Sequence, residues 1–330
     1  MKLECLLDVF NDSIRSFDGS ERYNVLSIEG MSHKIGKSNE DFPKVFVVTT
    51  PSNTALHNMN GELFSVEYCI ECSLVDDKNE VTDAICSIIT LRSTDEYLKR
   101  IFFDVFIMML LSLPKAPSDY ELAMKIEGLL AIFASLKRKP IHKIQGLWAE
   151  LLIIEQSQNP EITAKAWHNS PSSKYDFTMG VDKIEVKSTS SEERIHRFSL
   201  DQLSPTKSSQ LLIASVIVRE SAKDDNGLSI DDLYKKICQR IFDIDIRMHV
   251  YTVMVNTLGD EYEKASVIYF DYCTAKDSLN YYDYKDIPKI EKQYVPMNVT
   301  SVKFDSNLSH IKSITAKGIT FEDNTLLGSL

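Results

Sequence analysis

Three residues in one sixteen-residue stretch have the types and the spacing for chemistry at a phosphate. They are Asp176, Glu185 and Lys187 in KYDFTMGVDKIEVKST, residues 174–189. Two carboxylates set opposite each other repel unless a cation lies between them. Magnesium suits such a pair: it takes one or two carboxylates, keeps several waters and leaves room for phosphate oxygens. A lysine two residues on can hold or activate one of those waters. Together these are the parts for metal-assisted phosphodiester hydrolysis, with Mg2+ as the ion and Mn2+ able to substitute.

Two elements must position these groups. The first is a hairpin. Gly180-Val181 fits a two-residue loop, because glycine at the first central position suits a type II′ turn. That loop pairs Met179 with Asp182, Thr178 with Lys183 and Phe177 with Ile184, and so sets Asp176 opposite Glu185. Side chains alternate along a strand, so Asp176, Glu185 and Lys187 share one face while Phe177, Ile184 and Val186 share the other. A three-residue loop, 180–182, would spoil this pairing. The second element is a helix over 143–157, with Leu147, Leu151 and Ile154 as its apolar stripe, broadened by Trp148 and Leu152. Glu150 borders that stripe. It is either a further metal or water ligand or a rim glutamate paired with a lysine.

The stretch resembles the PD-(D/E)XK nuclease signature: Asp176, then Glu185-Val186-Lys187. Its surroundings resemble one branch, the PD-(D/E)XK proteins of bacterial restriction-like and anti-phage gene clusters. The matching features are Gly146-Leu147-Trp148-Ala149-Glu150-Leu151, Ala166-Trp167-His168, Tyr175-Asp176-Phe177, Ile184-Glu185-Val186-Lys187-Ser188-Thr189, Ser199-Leu200-Asp201-Gln202-Leu203 and Ile287-Pro288-Lys289-Ile290. Tyr175 stands where the name-giving proline would be, and Ala149 replaces an expected small glycine; neither removes a ligand. The resemblance implies an α/β, restriction-endonuclease-like core and a DNA endonuclease of a restriction-modification or anti-phage defence system. It implies Asp176, Glu185 and the Val186 backbone carbonyl as metal ligands, Lys187 as the water-positioning group, and Glu150 assisting. Expected partners are DNA, other defence-operon proteins such as ATPases, and a second copy in a homo-oligomer. The alternative is a scaffold or DNA-sensing subunit that keeps the nuclease fold but not its activity.

Further nucleic-acid contacts are open at Thr189, Gln202, His168, Lys139 and Lys143. Gln202 lies three residues after Ser199 and can cap a short helix ended by Pro205, or face the site. His168, beside Trp167, either contacts phosphate or is packed. Lys137-Arg138-Lys139 and His142-Lys143 form the densest basic run, serving as a solvated helix end or as phosphate contacts. Tyr281, Tyr282 and Tyr284 either pack or stack on bases.

The chain has 330 residues, 43% hydrophobic and 26% charged, so it is globular and large enough for one big domain or two ordinary ones. Its formal net charge of −11 is unusual for a free-standing DNA binder. The six cysteines are scattered. Cys69 and Cys72 form a lone C-x-x-C in a strand-like run, which points to neither zinc nor redox chemistry. Met1-Lys2-Leu3-Glu4 does not start a signal peptide, and the apolar run 101–111 is too short to span a bilayer, so a cytoplasmic protein with free thiols and no membrane contact is expected.

Three regions follow: a β-rich antiparallel domain over 1–92, a helical connector over 93–142, and the nuclease-like part with its extension over 143–330. The first region opens with a short helix and continues in strands at 23–28, 45–50, 63–74 and 81–91. In the second, Ser93 and Glu96 form a capping box for a helix to Ser112, and Asp119 caps another over 120–138. Beyond the hairpin, a central strand is expected at 211–219, helices at 230–241 and 250–258, and strands at 265–272 and 295–304.

Overall fold

The computed structural model describes residue 10 and residues 22–28, 30–38, 40–76, 78–136, 143–168, 173–224 and 226–330. The basic run 137–142, with Lys139, and the expected N-terminal helix apart from Phe10 lie outside the described residues. The chain divides into two compact units, residues 1–133 and 134–330.

The first unit is built on strands β1 (Arg22–Ser27), β2 (Lys34–Lys37), β3 (Pro43–Val48), β4 (Met59–Asn60), β5 (Phe64–Val75) and β6 (Val81–Leu91), in the sheet order β1-β2-β3-β6-β5-β4. β5 is 12 residues long, enough to pair with β4 near its start and with β1 near its end. The β1–β5 pairing is parallel and closes the sheet on itself, which corrects the expectation of a purely antiparallel domain. Val25, Phe46, Cys72, Leu74, Cys86 and Ile88 fill one face. Two helices follow, α1 (Glu96–Ser112) and α2 (Asp119–Ser135).

Both helix starts differ from the sequence reading. Asp95, not Ser93, is the N-cap of α1, its carboxylate accepting from Leu98 N at 2.9 Å. At α2 the reciprocal pair is Ser118 with Glu121: Ser118 Oγ accepts from Glu121 N at 3.1 Å, and Glu121 Oε2 accepts from Ser118 N at 2.8 Å. Asp119 instead accepts from Ser52 N at 2.9 Å and from the Cys69 thiol at 3.1 Å.

The second unit begins with α3 (Ile144–Gln156) and α4 (Pro160–Ala166). Asn159 caps α4 with its side chain and Pro160 occupies its first turn, where the missing N–H costs nothing. The hairpin β7 (Phe177–Met179) and β8 (Asp182–Thr189) has the register Phe177↔Ile184, Thr178↔Lys183, Met179↔Asp182. Gly180 has φ 55° and Val181 is not among the positive-φ residues, the pattern of a type II′ turn. After β9 (Ile195–Ser199) comes β10 (Gln210–Ile217), which pairs parallel to β8. Residues 200–203 form turns where a short helix was expected.

The remaining elements are β11 (Glu220–Ser221), β12 (Gly227–Leu228), α5 (Ile230–Arg240), α6 (Ile244–Leu258), α7 (Tyr262–Ala265), β13 (Tyr269–Asp271), α8 (Tyr272–Ser278), β14 (Asn280–Asp283) and β15 (Lys303–Asn307). The main sheet runs β14-β10-β8-β7, so β10 is central, as expected. α6 starts at Ile244, because Asp243 caps it through the N–H groups of Asp245 and Ile246. The expected strand at 265–272 shrinks to β13 and gives way to α8, capped by Asp271. Of 295–304, only the end enters β15. β15 pairs with β9 as a separate two-stranded ribbon.

Candidate metal centre

α3 is buried on every side from Leu147 to Glu155, so Glu150 cannot reach bulk water: it is 5% exposed. A buried carboxylate requires hydrogen-bond donors. Glu150 Oε2 accepts from Trp167 Nε1 at 2.8 Å and meets His168 Nε2 at 2.9 Å. Among the described residues its hydrogen-bond partners are these two, and not a lysine at a helix rim.

Trp167 and His168 are held as an edge beside β7. Trp167 bridges to Phe177 in antiparallel fashion, and His168 N donates to Asp176 O at 2.9 Å. His168 adopts φ 40°, a left-handed conformation uncommon outside glycine and short polar residues. Asp176 comes one residue before β7. Its Oδ2 accepts from Val186 N at 2.7 Å, extending the hairpin by a side-chain contact beyond the last backbone pair.

Along β8, Glu185 lies beside Ile213 and Lys187 beside Ser215 in the parallel ladder with β10. Lys187 Nζ donates to Glu185 Oε1 at 2.7 Å and lies 5.3 Å from the centre of the Phe198 ring. Gln202 Nε2 donates to the same Glu185 oxygen. Gln202 also closes a reciprocal pair with Ser199: its Oε1 accepts from Ser199 N at 2.9 Å, and Ser199 Oγ accepts from Gln202 N at 3.2 Å. Gln202 therefore reaches Glu185, while its pair with Ser199 closes a turn and not the expected short helix. Nearby, the buried Tyr175 hydroxyl makes no hydrogen bond among the described residues.

Behind Lys187 is a polar cluster that sequence reasoning missed. β9 turns His196 and Phe198 inward. His196 Nε2 meets Ser215 Oγ at 2.7 Å, and Arg194 Nη1 donates to Ser215 O at 2.8 Å and to Ser215 Oγ at 2.9 Å. The one signal for β9 was the alternation Ile195-His196-Arg197-Phe198, too short to single out. Trp167 was seen, but not as the donor that anchors Glu150.

Thr189 ends β8 and its hydroxyl accepts from Ser191 N at 3.1 Å; Lys143 is exposed at the start of α3. Tyr282 is 4% exposed and packs with Phe198, Ile213 and Ile287. Val186 meets Asp176 through its N–H. The described cysteines are free thiols.

Charge dominates the chemistry of this cluster. Burial, and then the neighbouring Glu150 and Glu185 carboxylates, hold Asp176 well above the usual carboxylate range, against the Val186 N–H and Lys187. Burial also raises Glu185, which Lys187 opposes by charge and hydrogen bond, while Glu150 adds to the rise and His168 opposes it. Buried Glu150 and Glu185 and half-buried Asp176 thus crowd one region, and each has a second oxygen besides the one that accepts from Trp167, Lys187 or Val186 N. That donor set of hard oxygens fits a divalent cation, which would relieve the repulsion.

The chain matches a family model described as "Putative PD-(D/E)XK family member (DUF4420)" over residues 13–309. No curated protein and no solved structure matches it. Among the described residues, no helix is long and apolar enough to cross a membrane.

Proposed function

The chain belongs to that PD-(D/E)XK family, and from this membership and the site geometry we propose that it is a metal-dependent nuclease hydrolysing phosphodiester bonds in DNA. One observation carries the reading: Lys187 and Glu185 are joined at 2.7 Å on one strand, and Asp176 is hydrogen-bonded to the Val186 N–H between them. The order helix, hairpin, parallel strand supports a restriction-endonuclease-like core.

Asp176 and Glu185 would hold the ion, Mg2+ with Mn2+ able to substitute, and Glu150 and the Val186 carbonyl would complete the set. When bound, the ion supplies positive charge for the phosphate in the transition state. Lys187 places an ammonium beside Glu185, where it orients a water against phosphorus and attracts the phosphate. As the water oxygen bonds to phosphorus, the bond to the leaving oxygen breaks. Gln202 fixes the Glu185 carboxylate, so that Lys187 and the acid keep one geometry. Trp167 does the same for Glu150.

The −11 charge, the one argument for a scaffold, is unevenly spread. Residues 134–330 hold 25 Lys and Arg against 27 Asp and Glu, whereas residues 1–133 hold 12 against 21. The unit with the site is therefore nearly neutral, and the acidity belongs to the other unit. An acidic surface repels DNA and suits a basic protein partner. Work with defence partners such as ATPases, or as a homo-oligomer, fits that distribution, and the restriction or anti-phage role rests on the resemblance. The test is nicking of supercoiled plasmid by the purified protein with Mg2+ or Mn2+, alone and with its operon neighbours. Cleavage that Asp176→Asn abolishes is expected; cleavage equal in wild type and variant, or none under any condition, contradicts the proposal.

A further inference from the structure

Three separate segments bring one ligand atom each to a single spot. Glu150 comes from α3, His168 follows α4, and Asp176 precedes β7; their ligand atoms all lie within 4.8 Å of one another. This is the only such group of three or more His, Cys, Asp and Glu among the described residues. Glu185 is outside it, its Oε1 engaged by Lys187 and Gln202.

We propose that His168 is a metal ligand beside Glu150 and Asp176, and that this nitrogen makes the site prefer Mn2+, or another first-row transition ion, to Mg2+. The inference rests on reading the cluster as the nuclease's metal centre. His168 Nε2 and Glu150 Oε2 are 2.9 Å apart, a separation that needs a shared proton between them. A divalent cation can displace that proton and hold both atoms. Imidazole nitrogen suits transition ions, whereas Mg2+ favours an all-oxygen, octahedral shell. The ring is fixed for the task. His168 N is tied to Asp176 O, the neighbouring Trp167 donates to Glu150, and the left-handed backbone at His168 turns the chain between them. That conformation is strained for a residue with a Cβ.

The test uses the full chain, stripped of metal with a chelator and titrated with Mn2+ or Mg2+. Pulsed EPR of the Mn2+ complex should show nitrogen coupling, which changes to the 15N pattern in protein labelled with 15N-histidine. His168→Gln should abolish the coupling and weaken Mn2+ binding by about tenfold or more, since losing even a supporting partner of a ligand costs 10–100-fold. Mg2+ binding should change far less. Bound Mn2+ with no nitrogen coupling in the wild type, lost on Asp176→Asn, would overturn the inference while leaving the nuclease reading intact. A wild type that binds no Mn2+ at millimolar concentration overturns it too, whether or not His168→Gln folds. Plasmid cleavage without nitrogen coupling would separate the two proposals.

Discussion

His196→Gln should remove a specific pH dependence of stability. His196 is 3% exposed, with Nε2 at 2.7 Å from Ser215 Oγ. Burial first, then the charges of Lys187 and Arg194, push its pKa down from 6.5 to about 4. Between those values the unfolded chain binds a proton that the folded chain refuses. The stability from the neutral ring is therefore complete above about pH 6.5 and is lost as pH falls towards 4. At about 1.4 kcal/mol per pKa unit, the loss reaches about 3 kcal/mol. Glutamine can keep a hydrogen bond to Ser215 and carries no titrating proton. Urea unfolding at several values between pH 7.5 and 4 should show the wild type losing roughly 3 kcal/mol more than His196→Gln. Asp176 and Glu185, raised in the fold, act in the opposite sense, giving stability at low pH that is lost as pH rises; they are common to both proteins and cancel in the difference. Parallel curves for the two proteins would refute the reasoning, as would a histidine resonance for His196 titrating near 6.5.

Asp176→Asn should stabilise the metal-free protein at pH 8, since it removes one of three crowded carboxylates yet keeps an oxygen for Val186 N; each kcal/mol gained should raise Tm by roughly 2–4 °C. Its Tm should no longer respond to Mg2+ or Mn2+, whereas the wild type's rises by linkage; an equal metal response in both proteins contradicts the site. Tyr175→Phe should be neutral or stabilise by about 1 kcal/mol in urea unfolding, because the buried hydroxyl has no partner among the described residues; a loss of stability would mean that the hydroxyl is hydrogen-bonded. Gln202→Ala should cost about 1 kcal/mol for the lost reciprocal hydrogen bonds with Ser199, and single-turnover cleavage should fall by far more than that loss explains, because Glu185 is released; wild-type cleavage would confine Gln202 to the turn.

The hairpin was legible because a two-residue loop with glycine first leaves one register, and that register carries Asp176, Glu185 and Lys187 with it. Glu150 was legible as a polar residue at the edge of an apolar stripe, but not its partners. Those depend on a left-handed turn at His168, which residue type does not announce. α4 was hidden by its seven-residue length, though Asn159-Pro160 signalled its start. β9 was hidden because only two of its side chains, His196 and Phe198, are buried. The cap of α1 moved from Ser93 to Asp95 because several side chains there can accept an N–H, and the position of the first helical turn chooses among them. The parallel closure of β1 on β5 is a long-range pairing that no local pattern encodes.

The most direct test of the nuclease account is single-turnover DNA cleavage at saturating metal, wild type against Lys187→Arg, with whatever partners prove necessary. Arginine keeps the charge, but its planar fork cannot place one donor where the ammonium stands at 2.7 Å from Glu185. Folding and metal binding should stay intact while cleavage falls by at least about a hundredfold, the lower range for a group acting on the reacting water. Cleavage at the wild-type rate in Lys187→Arg would contradict it.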